Sequence, residues 1–173
     1  GVLNNAYTDP VTGAASTFTG NESWSEFTPK AGITYNLDNG IVYLSYTEGF
    51  RSGGFNGRAT AASNAGPYQP ELVKSTEFGF KTSWANNTLQ INGAIFATDY
   101  EDKQEDVVLP GTDGAVTLTL VQNAAGATMN GAEIETIWVP TAGLTLTANV
   151  GFLDAEYDNY SVPGPDGNLV DKS

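Results

Sequence analysis

The strongest constraint on this chain is an alternation of apolar and polar residues that recurs along its length. In residues 144–152 five apolar positions alternate with Thr145, Thr147, Asn149 and Gly151. A two-residue period places successive side chains on opposite faces of a β-strand. No window shows a convincing 3.6-residue apolar period, so helices are not expected. The pattern predicts an all-β chain.

Six long strands are predicted, joined as an antiparallel up-and-down meander. They are expected near residues 24–36, 41–51, 72–85, 88–109, 115–139 and 143–157. Residues 1–23 and 52–71, which are rich in Asn, Thr, Gly, Ala and Ser, are predicted to be loops. Short turns are predicted at residues 37–40, 86–87 and 140–143, where Asn-Gly, Asn-Asn and Pro-Thr-Ala-Gly occur.

The lengths of the connections favour a membrane barrel. The three short turns alternate with long connections at residues 52–71, near 99–127 and after 155. One end of the meander therefore has short turns, and the other end has long loops. Transmembrane β-barrels show this asymmetry, with short periplasmic turns and long extracellular loops. The sequence therefore predicts about six strands of a large transmembrane β-barrel.

Aromatic residues support the same prediction. Membrane strands need about 9–11 residues and carry aromatic girdles at both interfaces. Three aromatic residues lie beside the short turns: Tyr35, Trp84 and Trp138. Three others lie about one membrane span further on, where a second girdle is expected: Phe50, Tyr100 and Tyr157.

Composition excludes several classes of function. The chain has 20 acidic and 7 basic residues and a net charge of -13, whereas a nucleic-acid binder needs a basic surface. There are no cysteines or histidines, so thiolate metal sites, disulfides and a histidine base are absent from this sequence. No nucleophile–base pair is evident. We expect neither an enzyme nor a resident cofactor.

Six blocks of sequence, in this order, resemble consecutive strands of TonB-dependent outer-membrane receptors. They are residues 27–35 (FTPKAGITY), 43–56 (YLSYTEGFRSGGFN), 68–81 (YQPELVKSTEFGFK), 91–104 (INGAIFATDYEDKQ), 123–135 (NAAG followed by NGAEIE) and 150–157 (VGFLDAEY). Together they cover about residues 24–160. Ordered blocks with compatible spacing are more specific than any single motif.

This resemblance implies part of a barrel of about 22 strands whose lumen is closed by a plug domain. Such receptors sit in the outer membrane of Gram-negative bacteria and import scarce ligands such as ferric siderophores, cobalamin or sugars. The inner-membrane TonB complex supplies energy through the plug. The sequence shows no plug, no TonB-contacting box and no final strand ending in an aromatic residue. We expect a piece from the later part of the barrel, with outer-membrane lipid as a partner.

Several polar residues are candidates for function. Arg51 and Arg58 suit an anionic ligand because guanidinium matches carboxylate and phosphate, and Tyr68 is a candidate for stacking on a ligand ring. Four charged residues are expected to face the lumen, where pairing with each other or with the plug is favoured over ligand binding: Glu77, Lys81, Glu133 and Glu135.

An acidic run offers a weak metal site. Carboxylate oxygens suit hard cations such as calcium, but the spacing is not that of an EF-hand, and a solvated loop is the favoured interpretation. Its members are Asp99, Glu101, Asp102, Glu105 and Asp106.

Two alternatives remain open from the sequence. A soluble β-rich binding or adhesion module requires a second sheet packed on the face that carries Phe78, Phe80 and Trp84. A cross-β fibril core, formed outside the cell by self-association of an isolated fragment, follows from the open sheet edges and Asn-rich alternating segments.

Overall fold

The computed structural model describes residues 1–8, 13–59, 61–109, 118–163 and 169–173. Within these residues the chain is almost entirely β-structure, with one short 3-10 turn at Ala62–Asn64. No described helix is long and apolar enough to cross a membrane.

Seven strands form one antiparallel sheet. They are β3 (Lys30–Leu37), β4 (Gly40–Arg51), β7 (Glu71–Trp84), β8 (Leu89–Leu109), β9 (Leu118–Thr141), β10 (Leu144–Pro163) and β11 (Leu169–Asp171). The order across the sheet is β11-β10-β9-β8-β7-β4-β3. Neighbours in sequence are thus neighbours in space, as the predicted meander requires, and the predicted fold class is confirmed.

The remaining strands lie outside this sheet. Strands β1 (Val2–Thr8) and β2 (Ala15–Asn21) form a hairpin, and the two-residue strands β5 (Gly54–Phe55) and β6 (Pro67–Tyr68) pair with each other. The prediction of a loop over residues 1–23 is therefore wrong for most of that stretch. Its Thr- and Asn-rich composition weakens the strand signal, and the hairpin is held by a core built from distant segments.

That core lies at one end of the sheet. Tyr7 of the hairpin packs with Ala59 and Ala65 of the 52–71 connection and with Leu120 of β9. We call this the long-loop end. The opposite end, where short turns connect the strands, is the turn end.

At the turn end, the connections are close to those predicted. Ala85, Asn86 and Asn87 all have positive φ values, of 52°, 56° and 66°, and asparagine tolerates this region better than most residues. Gly143, with φ of 84°, closes the turn between β9 and β10. Glycine suits this left-handed conformation because it has no Cβ.

Two strand limits differ from the sequence prediction. The first strand of the sheet begins at Lys30 rather than near residue 24, directly after Pro29, which has no N–H to donate to a ladder. Strand β10 continues to Pro163 rather than ending near residue 157. It pairs with β9 as far as Tyr160 and Ala125, and residues 161–163 pair with β11.

The sheet has one apolar face and one polar face. Cross-strand partners share a face, so Leu44, Phe78 and Ile95 lie together, as do Ile134 and Val150. Their side chains are exposed: Ile95 is 59% and Val150 73% accessible. No second sheet of described residues covers this face. The module packed on Phe78 and Trp84 is therefore not supported.

The fibril alternative is also not supported. Each long strand is hydrogen-bonded antiparallel to a different strand of the same chain. A steric zipper would instead stack identical segments of many chains in register.

Only some of the aromatic residues predicted to form the two girdles lie on the apolar face of the sheet. Trp84 and Trp138 flank Leu89 on the apolar face at the turn end. At the other end, Phe50 lies on the same face, because it is an even number of residues from Leu44 in β4. Tyr100 and Tyr157 do not. Both pair with Ala127 and lie in one row on the polar face, because the two-residue period of the strand, and not the distance from the turn, decides which face a side chain occupies.

Candidate functional site

The polar face gathers the four predicted charged residues near its middle. Glu77 and Lys81 come from β7, and Glu133 and Glu135 from β9. They line a cavity of about 300 Å³ together with Tyr43 and Asn92 of the intervening and flanking strands. Three carboxylates and one ammonium leave an excess of negative charge there.

Two hydrogen bonds organise this cavity. The Tyr43 hydroxyl donates to Oε1 of Glu77 at 2.7 Å, and Nδ2 of Asn92 donates to Oε2 of Glu135 at 3.3 Å. Both donors are neutral groups, so each bond satisfies part of the hydrogen-bonding capacity of a carboxylate without adding a positive charge to the cavity.

A second group of polar residues lies on the same face at the long-loop end. We call it the distal cluster, and it consists of Lys103, Glu105, Tyr157 and Tyr160. Lys103 forms an ion pair with Glu105, whose Oε1 also accepts a hydrogen bond of 2.9 Å from the Tyr157 hydroxyl. The two tyrosine rings are stacked at 5.1 Å, and the Lys103 ammonium lies 5.6 Å from the centre of the Tyr157 ring.

The distal cluster shifts the pKa values of its members. Burial opposes ionisation of Glu105, but hydrogen bonds from Lys103 and Tyr157 and the nearby ammonium outweigh it, so the pKa of Glu105 is lowered. Burial likewise opposes the charged Lys103, yet its contact with Glu105 raises the pKa of Lys103 overall. The hydrogen bond to Glu105 raises the pKa of the Tyr157 phenol. At neutral pH these shifts favour the charged Lys103–Glu105 ion pair and the neutral, protonated phenol of Tyr157.

The predicted ligand residues are placed in different surroundings. Arg51 ends β4, and its positive charge helps to lower the pKa of Glu105. Exposed Arg58 lines a separate cavity of about 210 Å³ with Asp106. The Tyr68 ring lies against Gly54 of the paired strand β5, so one of its faces is already covered. The cavity that Arg58 lines includes neither Arg51 nor Tyr68.

The acidic run lies within strand β8 rather than in a solvated loop, so that interpretation is wrong. The alternation of the strand and an irregularity between Tyr100 and Lys103 distribute its carboxylates over both faces. Glu101 pairs with Lys74 on the apolar side, whereas Glu105 belongs to the distal cluster. Among the residues that the structure describes, no three carboxylates are grouped so that they could hold a metal ion.

Comparison with known proteins agrees with the architecture of the sheet. The family model described as "TonB dependent receptor-like, beta-barrel" matches residues 4–172. The chain belongs to this family. The sequence resemblance to TonB-dependent receptors is confirmed.

Siderophore receptors and a pesticin receptor are among the proteins that this chain resembles. It is 24% identical over 169 residues to a probable TonB-dependent siderophore receptor, PiuA, of Acinetobacter baumannii, covering 94% of this chain and 22% of that protein. It is 29% identical over 124 residues to the pesticin receptor of Yersinia pestis, covering 72% and 17% respectively. The chain thus spans about a fifth of the length of these relatives.

A solved structure supports the fold. The crystal structure of the ferric yersiniabactin uptake receptor FyuA from Yersinia pestis aligns with a TM-score of 0.69 at 20% identity, over 89% of this chain and 26% of that one. In the receptor chain, the polar face and the long-loop end therefore belong to one wall of a barrel of this family.

Sequence reasoning missed part of the distal cluster. The sequence prediction does not include Lys103, and it places Tyr157 in the second aromatic girdle. The available signal was parity: Tyr157 lies an odd number of residues from Val150 and Phe152, so it occupies the face opposite to those apolar residues. The pairing of Tyr160 with Ala125 depends on an irregularity between Tyr157 and Asn159, which the sequence does not mark.

Proposed function

We propose that this chain forms part of the wall of an outer-membrane receptor of a Gram-negative bacterium, which imports ferric siderophores with energy from the TonB complex. The names of the siderophore receptors among its relatives support this ligand class over the cobalamin and sugars that the sequence left open. In this proposal iron is the transported cargo, and the receptor catalyses no reaction. Nucleic acid is not a partner.

The observation that carries the proposal is the exposed apolar face. Val150 is 73% and Phe152 68% accessible, and they lie beside other exposed apolar residues across several strands. Exposed apolar surface is unfavourable in water by about 25 cal/mol per Å², and a large contiguous patch marks an interaction surface. Outer-membrane lipid is the partner that suits a continuous face of long tilted strands.

The polar face then lines the lumen. Glu77, Glu133 and Glu135 present carboxylates there, with Lys81 among them. We infer that these charges pair with each other and with a plug domain that closes the lumen. The TonB complex would act on the receptor through that plug rather than through the residues of this sheet.

The long-loop end faces the outside of the cell in this orientation. Arg51, Arg58 and Lys103 supply positive charge at that end, and Tyr68 and Tyr157 supply aromatic surface. Guanidinium and ammonium groups suit an anionic iron chelate, and tyrosines suit its rings. These five residues are our candidates for contact with the ligand.

The test is uptake by the full-length receptor that contains this chain. It would be expressed in a Gram-negative host lacking its own siderophore receptors, with an isogenic strain lacking TonB as the control. Ferric catecholate and ferric hydroxamate siderophores carrying radioactive iron would be compared with labelled cobalamin and a labelled maltodextrin.

We expect TonB-dependent accumulation of iron from at least one siderophore, and no accumulation of cobalamin or maltodextrin above the receptor-free strain. Uptake of cobalamin or maltodextrin alone would overturn the ligand class. Equal uptake with and without TonB would overturn the mechanism of energy supply.

A further inference from the structure

The connection between β4 and β7 leaves the sheet and returns to it through a narrow neck. We call residues 52–69 the excursion. Ser52 and Gln69 lie at its two ends, and the side chain of Gln104, from β8, lies between them. Gln104 is only 6% exposed. Its Nε2 donates to the carbonyl oxygens of Ser52 and Gln69, both at 3.0 Å, and lies 3.4 Å from that of Arg51.

The position of Gln104 follows from the strand register. The ladder between β7 and β8 ends at the pair Leu72 and Glu101, so Gln104 lies beyond it. Its backbone N–H donates instead to Oε2 of Glu71 at 2.7 Å. The backbone is thereby held where the side chain reaches the neck, and the buried amide has partners for its donor hydrogens.

Two asparagines fasten the excursion to β9 in the same way. The Asn123 side chain accepts from the N–H of Gln69 at 2.7 Å and donates to its carbonyl at 2.9 Å. The Asn56 side chain accepts from the N–H of Val121 at 2.8 Å and donates to its carbonyl at 3.0 Å. Each amide thus imitates a strand partner, bonding both the N–H and the C=O of one residue.

We propose that Gln104, Asn123 and Asn56 form an amide clamp that holds the excursion closed on the β8–β9 ribbon, with Gln104 as the residue that positions its neck. The clamp holds the exposed Arg58 at the cavity that it shares with Asp106. Gln104 therefore acts on ligand recognition through the excursion rather than by contact with ligand. This last statement rests on the proposed function, whereas the clamp itself does not.

The clamp can be tested without a ligand by limited trypsin digestion of the full-length receptor in outer membranes. Arg58 is exposed, but Ala59, on the other side of the scissile bond, is buried in the core with Tyr7 and Leu120. Cleavage after Arg58 therefore requires local opening of the excursion. The product is identified by its new N-terminus at Ala59.

Three variants separate donor loss from packing. Gln104→Glu is isosteric but places a carboxylate among carbonyl oxygens, and Gln104→Leu keeps a similar volume without a donor. Gln90→Leu, at an exposed position near the other end of the same strand, is the matched control. We expect both Gln104 variants to be cleaved after Arg58 about tenfold faster than wild type, because two hydrogen bonds of ordinary strength are lost. Gln90→Leu should be cleaved at the wild-type rate.

Heat-dependent gel mobility of each variant shows whether the barrel has assembled. If Gln104→Leu is misassembled, Asn123→Asp replaces it, since it removes the donor to the Gln69 carbonyl at a less buried position. Wild-type cleavage rates in assembled variants would overturn the clamp. Fast cleavage of Gln104→Leu with slow cleavage of Gln104→Glu would also overturn it, because packing alone would then hold the neck.

The proposed role of Gln104 in ligand recognition is tested by uptake kinetics with the ferric siderophore that the wild-type receptor imports. We expect Gln104→Glu to raise KM severalfold at an unchanged maximal rate, since the residue positions the binding loop and not the transport machinery. Faster cleavage with an unchanged KM would overturn the role in recognition. A wild-type receptor that imports no ferric siderophore would refute the proposed function and this positioning role, while the digestion still decides the clamp.

Discussion

The ring of Tyr43 lies over Gly79, its direct partner on the neighbouring strand. The same arrangement recurs where Phe96 covers Gly131. Glycine leaves room for a large ring to lie flat across the sheet, so that bulky residues can be accommodated on a curved wall. For Tyr43 this position also directs the hydroxyl to Glu77.

A methyl group at Gly79 should disturb this contact. Its Cβ would overlap the Tyr43 ring, so the ring must move and lose its hydrogen bond to Glu77. We expect Gly79→Ala to lower the free energy of unfolding of the full-length receptor by about 1 kcal/mol, the usual net value of one hydrogen bond. Urea-induced unfolding in detergent measures it. Gly151→Ala is the control, because its added Cβ would lie 3.9 Å from the carbonyl oxygen of Ala132, an ordinary contact distance. Equal losses in both variants would contradict the explanation.

Adjacent residues of β10 test which face meets lipid. Val150 belongs to the apolar face, and Asn149 pairs with Glu135 on the polar face. Val150→Arg should destabilise the folded receptor in lipid vesicles by about 2–4 kcal/mol, the cost of arginine near the middle of a bilayer. Asn149→Arg should cost much less, since its guanidinium can pair with Glu135. Equal costs would show that the apolar face does not contact lipid.

The distal cluster should make stability depend on pH at both extremes. Glu105 has a lowered pKa, so its contribution is present above its ordinary value of 4.5 and is lost as pH falls through its folded pKa. Lys103 has a raised pKa, so its contribution is present below its ordinary value of 10.5 and is lost as pH rises through its folded pKa. Tyr157, raised from 10.0, behaves like Lys103 in this respect.

We therefore expect the stability difference between wild type and Glu105→Gln to be constant from about pH 5 to pH 9 and to shrink in acid. Unfolding measured across this range in the full-length receptor provides the check. A difference that grows as the pH falls below 4.5 would have the wrong sign for a carboxylate stabilised in its charged form.

The ion pair of Lys74 and Glu101 should contribute little. Its side chains are 37% and 51% exposed, and water and salt screen ion pairs that are this exposed. A double-mutant cycle with Lys74→Met and Glu101→Gln should give a small coupling energy that decreases as salt is added. A larger coupling that resists salt would indicate that the pair is shielded from water in the assembled barrel.

Local patterns were sufficient to predict the meander. The alternation in β10 and the turn residues Asn39 and Gly40 define strands and turns within a few positions. Partners in a meander are adjacent in sequence, so little long-range information is needed. The same two-residue period places Glu77 and Lys81 on one face of their strand, and Glu133 and Glu135 on one face of theirs.

The excursion could not be predicted in this way. Residues 52–71 contain few strand signals, and their conformation depends on Gln104 and Asn123, which lie more than thirty residues away in sequence. Tyr7 likewise finds its core with Ala65 and Leu120. Contacts at such separations leave no periodic trace in the chain.

The sequence by itself determined the strand period, the short turns, the two-faced sheet and the family. Each of these depends on residues close together in the chain or on ordered blocks of sequence. Only the tertiary structure decided that Tyr157 joins Lys103 and Glu105, and that the Gln104 amide closes the excursion. The reason is physical: a bulge or a shift of one residue changes the face and the neighbours of a side chain without changing the local pattern that specifies a strand.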